Sequence, residues 1–147
     1  MNIFKNKINL SEVYIGKDLK KKVLQVIDSR EYILKDNCQE FEKKFAEFVG
    51  QNFCVLSNSA TSVMQLTLMA LGIGPGDEII VPSLTAFPTI EPIFHVGAKP
   101  VFVDIDDNYN INPDLIEKKI TKKTKINLPV HLYGNPVNLK KISNLAK

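Results

Sequence analysis

A chain of 147 residues with a hydrophobic fraction of 44% and a charged fraction of 24% is long enough to bury one core of ordinary domain size. The net charge of +3 is small, and the densest basic run, residues 118–125, has no aromatic residue between its charges. We therefore interpret that run as a solvated helix end, and we expect no nucleic acid among the partners.

Cysteine content and apolar run lengths limit the class of protein further. Cys38 and Cys54 provide neither a disulfide framework nor a metal-type spacing, so both are expected to be core thiols. No segment reaches the roughly 18 apolar residues of a membrane span. The start of the chain has no apolar stretch of signal-peptide length. We expect a cytoplasmic protein that does not bind membranes.

The first part of the chain is expected to be an arm and a helix. Residues 1–15 lack clear periodicity and are interpreted as an arm that packs on another part of the structure. From Lys17, apolar residues recur every three or four positions, which predicts an amphipathic helix. Together they form the first expected division of the chain, residues 1–30.

The second expected division, residues 31–147, begins with a helix that stops at Gly50 and continues as an alternation of strands and helices. Apolar strands are predicted at residues 52–57, 78–83, 99–106 and 124–134. Helices are predicted at residues 60–72, 85–97 and 112–120, and from residue 135 onward. Such alternation builds right-handed β-α-β units, so the sequence predicts an α/β fold with a mostly parallel sheet and flanking helices.

Two of the predicted helices share a start signal. Asn112-Pro113 and Asn135-Pro136 each offer an asparagine as N-cap and a proline for the first helical position.

The stretch SNSATS, residues 57–62, marks the turn from the first predicted strand to the next helix. The first N–H groups of a helix lack internal partners and carry the positive end of its dipole. With small residues there and hydroxyls on Ser59 and Thr61, this turn has the chemistry of a phosphate seat. Ser59 as an ordinary helix cap is the other interpretation, and composition alone favours the cap over the seat. Neither the dinucleotide fingerprint nor the nucleotide P-loop is present.

Other candidates follow the later predicted strands, because ligands of open α/β sheets bind at the carboxyl ends of strands. Phe87 could cover a flat ligand ring or could be a core or interface residue. His131 is expected at the same rim. The three carboxylates of the DIDD run, Asp104, Asp106 and Asp107, are interpreted as a solvated strand end rather than a metal site. No catalytic Ser-His-Asp or Cys-His set can be assembled.

The run SNSATSVMQLTLMALGIGPGDEIIVPSLTAFPTIEPIFHVGAKPVFVDID, followed later by PVHLYG, resembles the DegT/DnrJ/EryC1/StrS family of sugar aminotransferases. The resemblance extends from about residue 30 to residue 147. It implies part of the large domain of the aspartate aminotransferase superfamily, the fold type I enzymes that use pyridoxal 5′-phosphate (PLP). It also implies a nucleotide-sugar substrate, an amino donor and a homodimer.

The resemblance assigns roles to the matched residues. The Ser-Gly-Thr turn of the family, which holds the phosphate of PLP, corresponds here to Ser59-Ala60-Thr61. The donors would be the backbone N–H groups of Ala60 and Thr61 and the Thr61 hydroxyl. Alanine in place of glycine is compatible with a helix start, which needs no positive φ. The family's ring-stacking aromatic corresponds to Ala86, and Phe87 comes one residue later.

Two motifs of the family do not occur among the 147 residues. They are the acidic residue that faces the pyridine nitrogen and the lysine that forms the internal Schiff base. Because transamination needs that lysine, we expect this chain alone to be inactive, as the N-terminal portion of an aminotransferase that a C-terminal chain would complete. The alternative is a non-catalytic remnant, or an α/β domain that binds a phosphorylated ligand or a partner.

Overall fold

The computed structural model describes residues 12–33 and 35–145, and the chain divides into two compact units, Met1–Val55 and Leu56–Lys147. Most of the arm expected over residues 1–15 lies outside the described residues. Within the described ranges, no helix is both long enough and apolar enough to cross a bilayer.

The first unit contains two amphipathic helices, α1 (Lys17–Ser29) and α2 (Asp36–Phe48), where the sequence predicts them. α1 ends at Arg30, which has a left-handed backbone and donates its N–H to Ile27 O at 3.3 Å. α2 ends before Gly50, whose φ of +68° and N–H bond to the Glu47 carbonyl are typical of a glycine helix stop. Both helix predictions are confirmed.

The second unit alternates helices and strands. Its regular elements are α3 (Ala60–Ala70), β1 (Glu78–Pro82), α4 (Phe87–His95), β2 (Lys99–Val103), α5 (Pro113–Ile116), β3 (Thr124–Asn127) and α6 (Leu139–Asn144). Short 3₁₀ turns cover Glu117–Lys119 and Leu132–Gly134. Asn112 caps α5 as predicted, since its Oδ1 accepts the Asp114 N–H at 3.0 Å.

The three strands form a parallel sheet in the order β2-β1-β3. In the shared register, Ile80 of β1 lies opposite Val101 of β2 and Asn127 of β3. The predicted parallel sheet is therefore confirmed, with the strand 78–83 at its centre.

Helices cover both faces of this sheet. Ile79 and Val81 pack with Leu68 of α3 and Ile93 of α4 on one face. On the opposite face Ile80 packs in a second cluster whose other members are Val103, Ile111, Ile116, Val137 and Ile142. Every residue of β1 is buried, which is why Glu78 is followed by a continuous apolar run over residues 79–82 rather than by an alternating one. Burial of each such side chain contributes about 1.5–3 kcal/mol.

A polar network fastens the amino ends of the strands. Glu78, with 8% of its surface exposed, accepts hydrogen bonds from Thr121 Oγ1 at 2.7 Å and Lys99 Nζ at 3.2 Å. The Thr121 hydroxyl first, and then the Lys99 ammonium, hold the pKa of the Glu78 carboxyl below its ordinary value. The network therefore links β1 to β2 and to the turn before β3 at the edge opposite the strand carboxyl ends.

The predicted elements differ most from the structure at three places. Residues 52–57 form no strand within the described chain. The fourth predicted strand, residues 124–134, ends at Asn127 because Pro129 and the turn at Leu132–Gly134 interrupt it. The last helix begins at Leu139 rather than after Asn135, since Asn138 supplies the cap to the Lys141 N–H at 3.0 Å.

Candidate functional site

Two helix N-termini lie at the carboxyl edge of the sheet. α4 connects the carboxyl end of β1 to the amino end of the parallel strand β2, so its first residue is at that edge. α3 packs beside α4 on the same face and leads into the amino end of β1, so it also starts near that edge. Gln65 of α3 and His95 of α4 are joined by a 3.2 Å hydrogen bond.

The first turn of α3 has unused hydrogen-bond donors. Ser59 is the N-cap, with Oγ accepting the Ser62 N–H at 3.1 Å and its carbonyl accepting the Val63 N–H at 3.0 Å. The N–H groups of Ala60 and Thr61 find no acceptor among the described residues, and neither does the Thr61 hydroxyl. The capping interpretation of Ser59 is thus confirmed, and capping leaves these three donors available.

These donors suit a phosphate. Two successive N–H groups at the positive end of an 11-residue helix and an adjacent hydroxyl can bond two or three phosphate oxygens. The small side chain of Ala60 leaves the approach open. The residues present therefore fit a phosphate-bearing cofactor on the chemistry of the donor set.

Phe87 is the first residue of α4, and 65% of its surface is exposed. Pro88 takes the second helical position, where no N–H is required, and the helix starts at Phe87 rather than at Thr85, where the sequence predicts it. Just before it, Thr85 Oγ1 and Thr89 Oγ1 lie 2.8 Å apart and brace the turn. Among the described residues Phe87 has no aromatic partner.

The strand order indicates where a ligand crevice is expected. The chain moves from β1 to β2 on one side and then returns past β1 to β3 on the other. In an open parallel sheet, ligands bind at the carboxyl ends of the two strands where this order reverses. The reversal here falls between β1 and β3. Residues 83–87, after β1, and residues 128–133, after β3, therefore flank the crevice.

The carboxylates after β2 serve the local backbone. Asp104 Oδ1 accepts the Ser83 hydroxyl at 3.3 Å and the Ile105 N–H at 2.8 Å. Asp106 Oδ1 accepts the N–H groups of Asn108 and Asn110 at 2.9 and 3.3 Å. In the described part of the chain, no three His, Cys, Asp or Glu side chains converge in a way that could hold a metal ion.

His131 does not belong to a strand, although the sequence predicts one over residues 124–134. It lies beyond β3, and its Nδ1 accepts the Val137 N–H at 3.1 Å. The side chain therefore closes the turn that follows β3.

Sequence reasoning missed Asn110, which lies next to this turn. Only 4% of its surface is exposed, its Oδ1 accepts the Leu132 N–H at 3.1 Å, and its Nδ2 donates to the Asn135 carbonyl at 3.0 Å. It also missed the left-handed backbone of Tyr133. The only sequence signal of that conformation is the Tyr133-Gly134 pair, and a glycine there does not reveal which neighbour shares its positive φ.

Comparison with known proteins gives a consistent result. The model of the DegT/DnrJ/EryC1/StrS aminotransferase family matches residues 13–147. UDP-2-acetamido-2-deoxy-3-oxo-D-glucuronate aminotransferase of Pseudomonas aeruginosa is 42% identical over 125 residues, which are 84% of this chain and 35% of that protein.

Solved structures agree. S. venezuelae DesV superposes with a TM-score of 0.82 at 38% identity, covering 88% of this chain and 36% of its own. The sugar aminotransferase Spr1654 of Streptococcus pneumoniae, in its PMP form, superposes with a TM-score of 0.89 at 33% identity, covering 95% of this chain and 35% of its own. The chain thus spans about a third of the length of the relatives it matches.

Proposed function

This chain belongs to the DegT/DnrJ/EryC1/StrS aminotransferase family, and we propose that it forms the cofactor-phosphate seat of an enzyme that transfers an amino group to a nucleotide-linked keto-sugar. The relatives support the substrate class, since their names specify UDP-, dTDP- and GDP-linked sugars. The family and the solved relatives in PMP and PLP forms indicate pyridoxal 5′-phosphate as the cofactor.

The observation that carries the proposal is the set of free donors at the start of α3. The Ala60 and Thr61 N–H groups and the Thr61 hydroxyl would bind the phosphate, while Ser59 keeps the helix end closed. Phe87 would cover one face of the ring from the start of α4. When bound, the cofactor supplies the electron sink through which the amino group is exchanged. The residues of this chain anchor and orient it.

The proposal includes polypeptide outside these residues. The acid that faces the pyridine nitrogen and the Schiff-base lysine would come from further sequence or from a complementing chain, with a homodimer as the expected assembly. The cofactor domain over residues 31–147 stays a prediction. A cytoplasmic location is proposed as well, supported by the free thiols of Cys38 and Cys54.

The test removes one backbone donor and keeps the helix. Proline at the first helical position has no N–H but fits helical geometry, and the extended backbone of Ser59 tolerates a following proline. Ala60→Pro should therefore keep α3 and weaken binding of pyridoxamine 5′-phosphate (PMP). Hydrogen bonds to a charged group are worth about 1.5–3 kcal/mol, so a loss of about 10- to 100-fold is expected. PMP is the probe because it has no aldehyde to react with surface lysines.

Matched variants isolate the phosphate contact. Lys17→Pro, at the same position of α1, should leave PMP affinity unchanged. Thr61→Val should weaken binding and Thr61→Ser should retain it. Calorimetry would measure PMP against phosphate-free pyridoxamine and inorganic phosphate. Equal binding of PMP and pyridoxamine would refute the phosphate seat, and so would unchanged PMP affinity in Ala60→Pro. Equal binding of PMP and inorganic phosphate would indicate a general phosphate site.

A further inference from the structure

We propose that Tyr133 forms the β3 side of the ligand crevice and packs its ring against the nucleotide-linked sugar. The identity of that ligand rests on the proposed function, whereas the placement of the ring rests on the geometry of the turn after β3. No other role for this side chain is visible in the described structure, where 92% of its surface is exposed.

The backbone at Tyr133 is in an unfavourable conformation. Its φ and ψ are 54° and 24°, in the left-handed region that residues with a Cβ rarely adopt. Gly134, the next residue, has a φ of 79°, so two left-handed residues follow one another. A glycine at position 133 would have met the geometric need at lower cost. Strain of this kind persists where the side chain is required and the surroundings hold it.

The surroundings do hold it. Asn110 is almost fully buried and bonds the Leu132 N–H and the Asn135 carbonyl, which lie on either side of Tyr133. His131 Nδ1 accepts the Val137 N–H and closes the same turn. These three bonds fix the turn, yet the Tyr133 ring extends into solvent. Among the described residues, the turn therefore presents the ring rather than burying it.

The presented ring flanks the crevice between β1 and β3. Tyr133 follows β3, one of the two strands at which the strand order reverses. The proposed phosphate seat and Phe87 belong to α3 and α4, on the β1 side. The β3 side is therefore open to the second ligand of the reaction. A tyrosine ring suits it, because it can pack on the apolar face of a pyranose or on a nucleobase while its hydroxyl bonds a polar group.

Tyr109 provides a matched control. It also has a positive φ, 64°, and 60% of its surface is exposed. It follows β2, however, which is not one of the strands that flank the crevice. Its loop bonds the Tyr133 turn through the Asn108 carbonyl and the Asn110 side chain, and Tyr109→Gly leaves both groups in place. A general effect of removing a strained, exposed tyrosine would be seen at both positions, whereas an effect on the ligand should be confined to Tyr133.

The experiment measures UDP-N-acetylglucosamine binding to the 147-residue chain by calorimetry, with and without saturating PMP. Tyr133→Gly should fold at least as well as the parent, because glycine relieves the backbone, and should bind the nucleotide sugar about tenfold more weakly. Tyr133→Phe should retain most of the affinity, since it keeps the ring. PMP affinity should be unchanged in both, and Tyr109→Gly should change neither affinity.

Each outcome decides between the two proposals. Nucleotide-sugar affinity that is the same in Tyr133→Gly and the parent would overturn the role of Tyr133, as would an equal loss in Tyr109→Gly. A chain that binds PMP but neither UDP-N-acetylglucosamine, dTDP-glucose nor GDP-mannose would overturn that role and leave the phosphate seat standing. Binding of the nucleotide sugar without PMP binding would overturn the seat alone.

Discussion

Replacing Asn127 with valine should stabilise the chain. Asn127 Oδ1 is fully buried and is the one buried side-chain polar atom without a hydrogen-bond partner in the described structure. It belongs to β3 and lies opposite Ile80, a residue with no exposed surface. On folding, this amide oxygen therefore loses its hydrogen bonds to water and receives no other donor. Removing the oxygen would break no described hydrogen bond.

The size of the gain follows from that environment. Leaving a buried acceptor unsatisfied costs about 1–3 kcal/mol, and Asn127→Val recovers this term. A β-branched side chain also fits a strand better than asparagine does. In a chain of this length 1 kcal/mol corresponds to about 2–4 °C in Tm, so a rise between about 2 and 12 °C is expected. Urea and thermal unfolding of the 147-residue chain, followed by circular dichroism, would measure it.

A neighbouring position separates burial from strand propensity. Lys125 is an exposed residue of the same strand, so Lys125→Val changes propensity without removing a buried polar atom. Asn127→Val should exceed that control by at least about 1 kcal/mol. Asn127→Asp should destabilise the chain, because a charge would then be buried without a partner. A gain in Asn127→Val no larger than in the control would show that Oδ1 is not the source of instability.

Two further predictions concern Glu78 and Ser59. Because the pKa of the Glu78 carboxyl is lowered in the folded chain, this group adds to the free energy of unfolding at pH values above its ordinary pKa near 4.5. That contribution is lost as the pH falls through the folded-state pKa. Unfolding free energy should thus fall less steeply on acidification in Glu78→Gln, and an unchanged slope in urea titrations would contradict this. Ser59→Ala should cost about 0.5–2 kcal/mol as a lost cap. Ser59→Asp should keep the cap but weaken PMP binding by charge repulsion; retained PMP affinity would place the phosphate elsewhere.

The parts of the fold that local signals determine could be predicted from the sequence. The start of α5 rests on Asn112 and the end of α2 on Gly50, and each acts within a few residues of chain. β1 is recognisable because both of its faces are buried, which removes the polar alternation of an exposed strand. In each case the physical cause lies in the segment itself.

The errors arise where the cause lies elsewhere in the chain. A strand at residues 52–57 requires a neighbour to pair its backbone groups, and apolar character alone says nothing about that neighbour. Asn135 looks like a helix cap, but its Nδ2 bonds the Asn108 carbonyl at 3.3 Å and its own carbonyl accepts from Asn110. Asn138, three residues later, is free to cap α6 instead. Asn135 and Asn138 are both possible helix caps by residue type. What distinguishes them is the contact that Asn135 makes with the loop after β2.

At the candidate site, residues 57–62, the sequence presents helix capping and phosphate binding as alternatives. In the folded chain they use different donors, because the cap takes the Ser62 N–H and the seat requires those of Ala60 and Thr61. Capping holds the first turn in place, and a fixed first turn is what orients the remaining N–H groups toward an anion. A good cap at this position is therefore a condition for the phosphate seat rather than evidence against it.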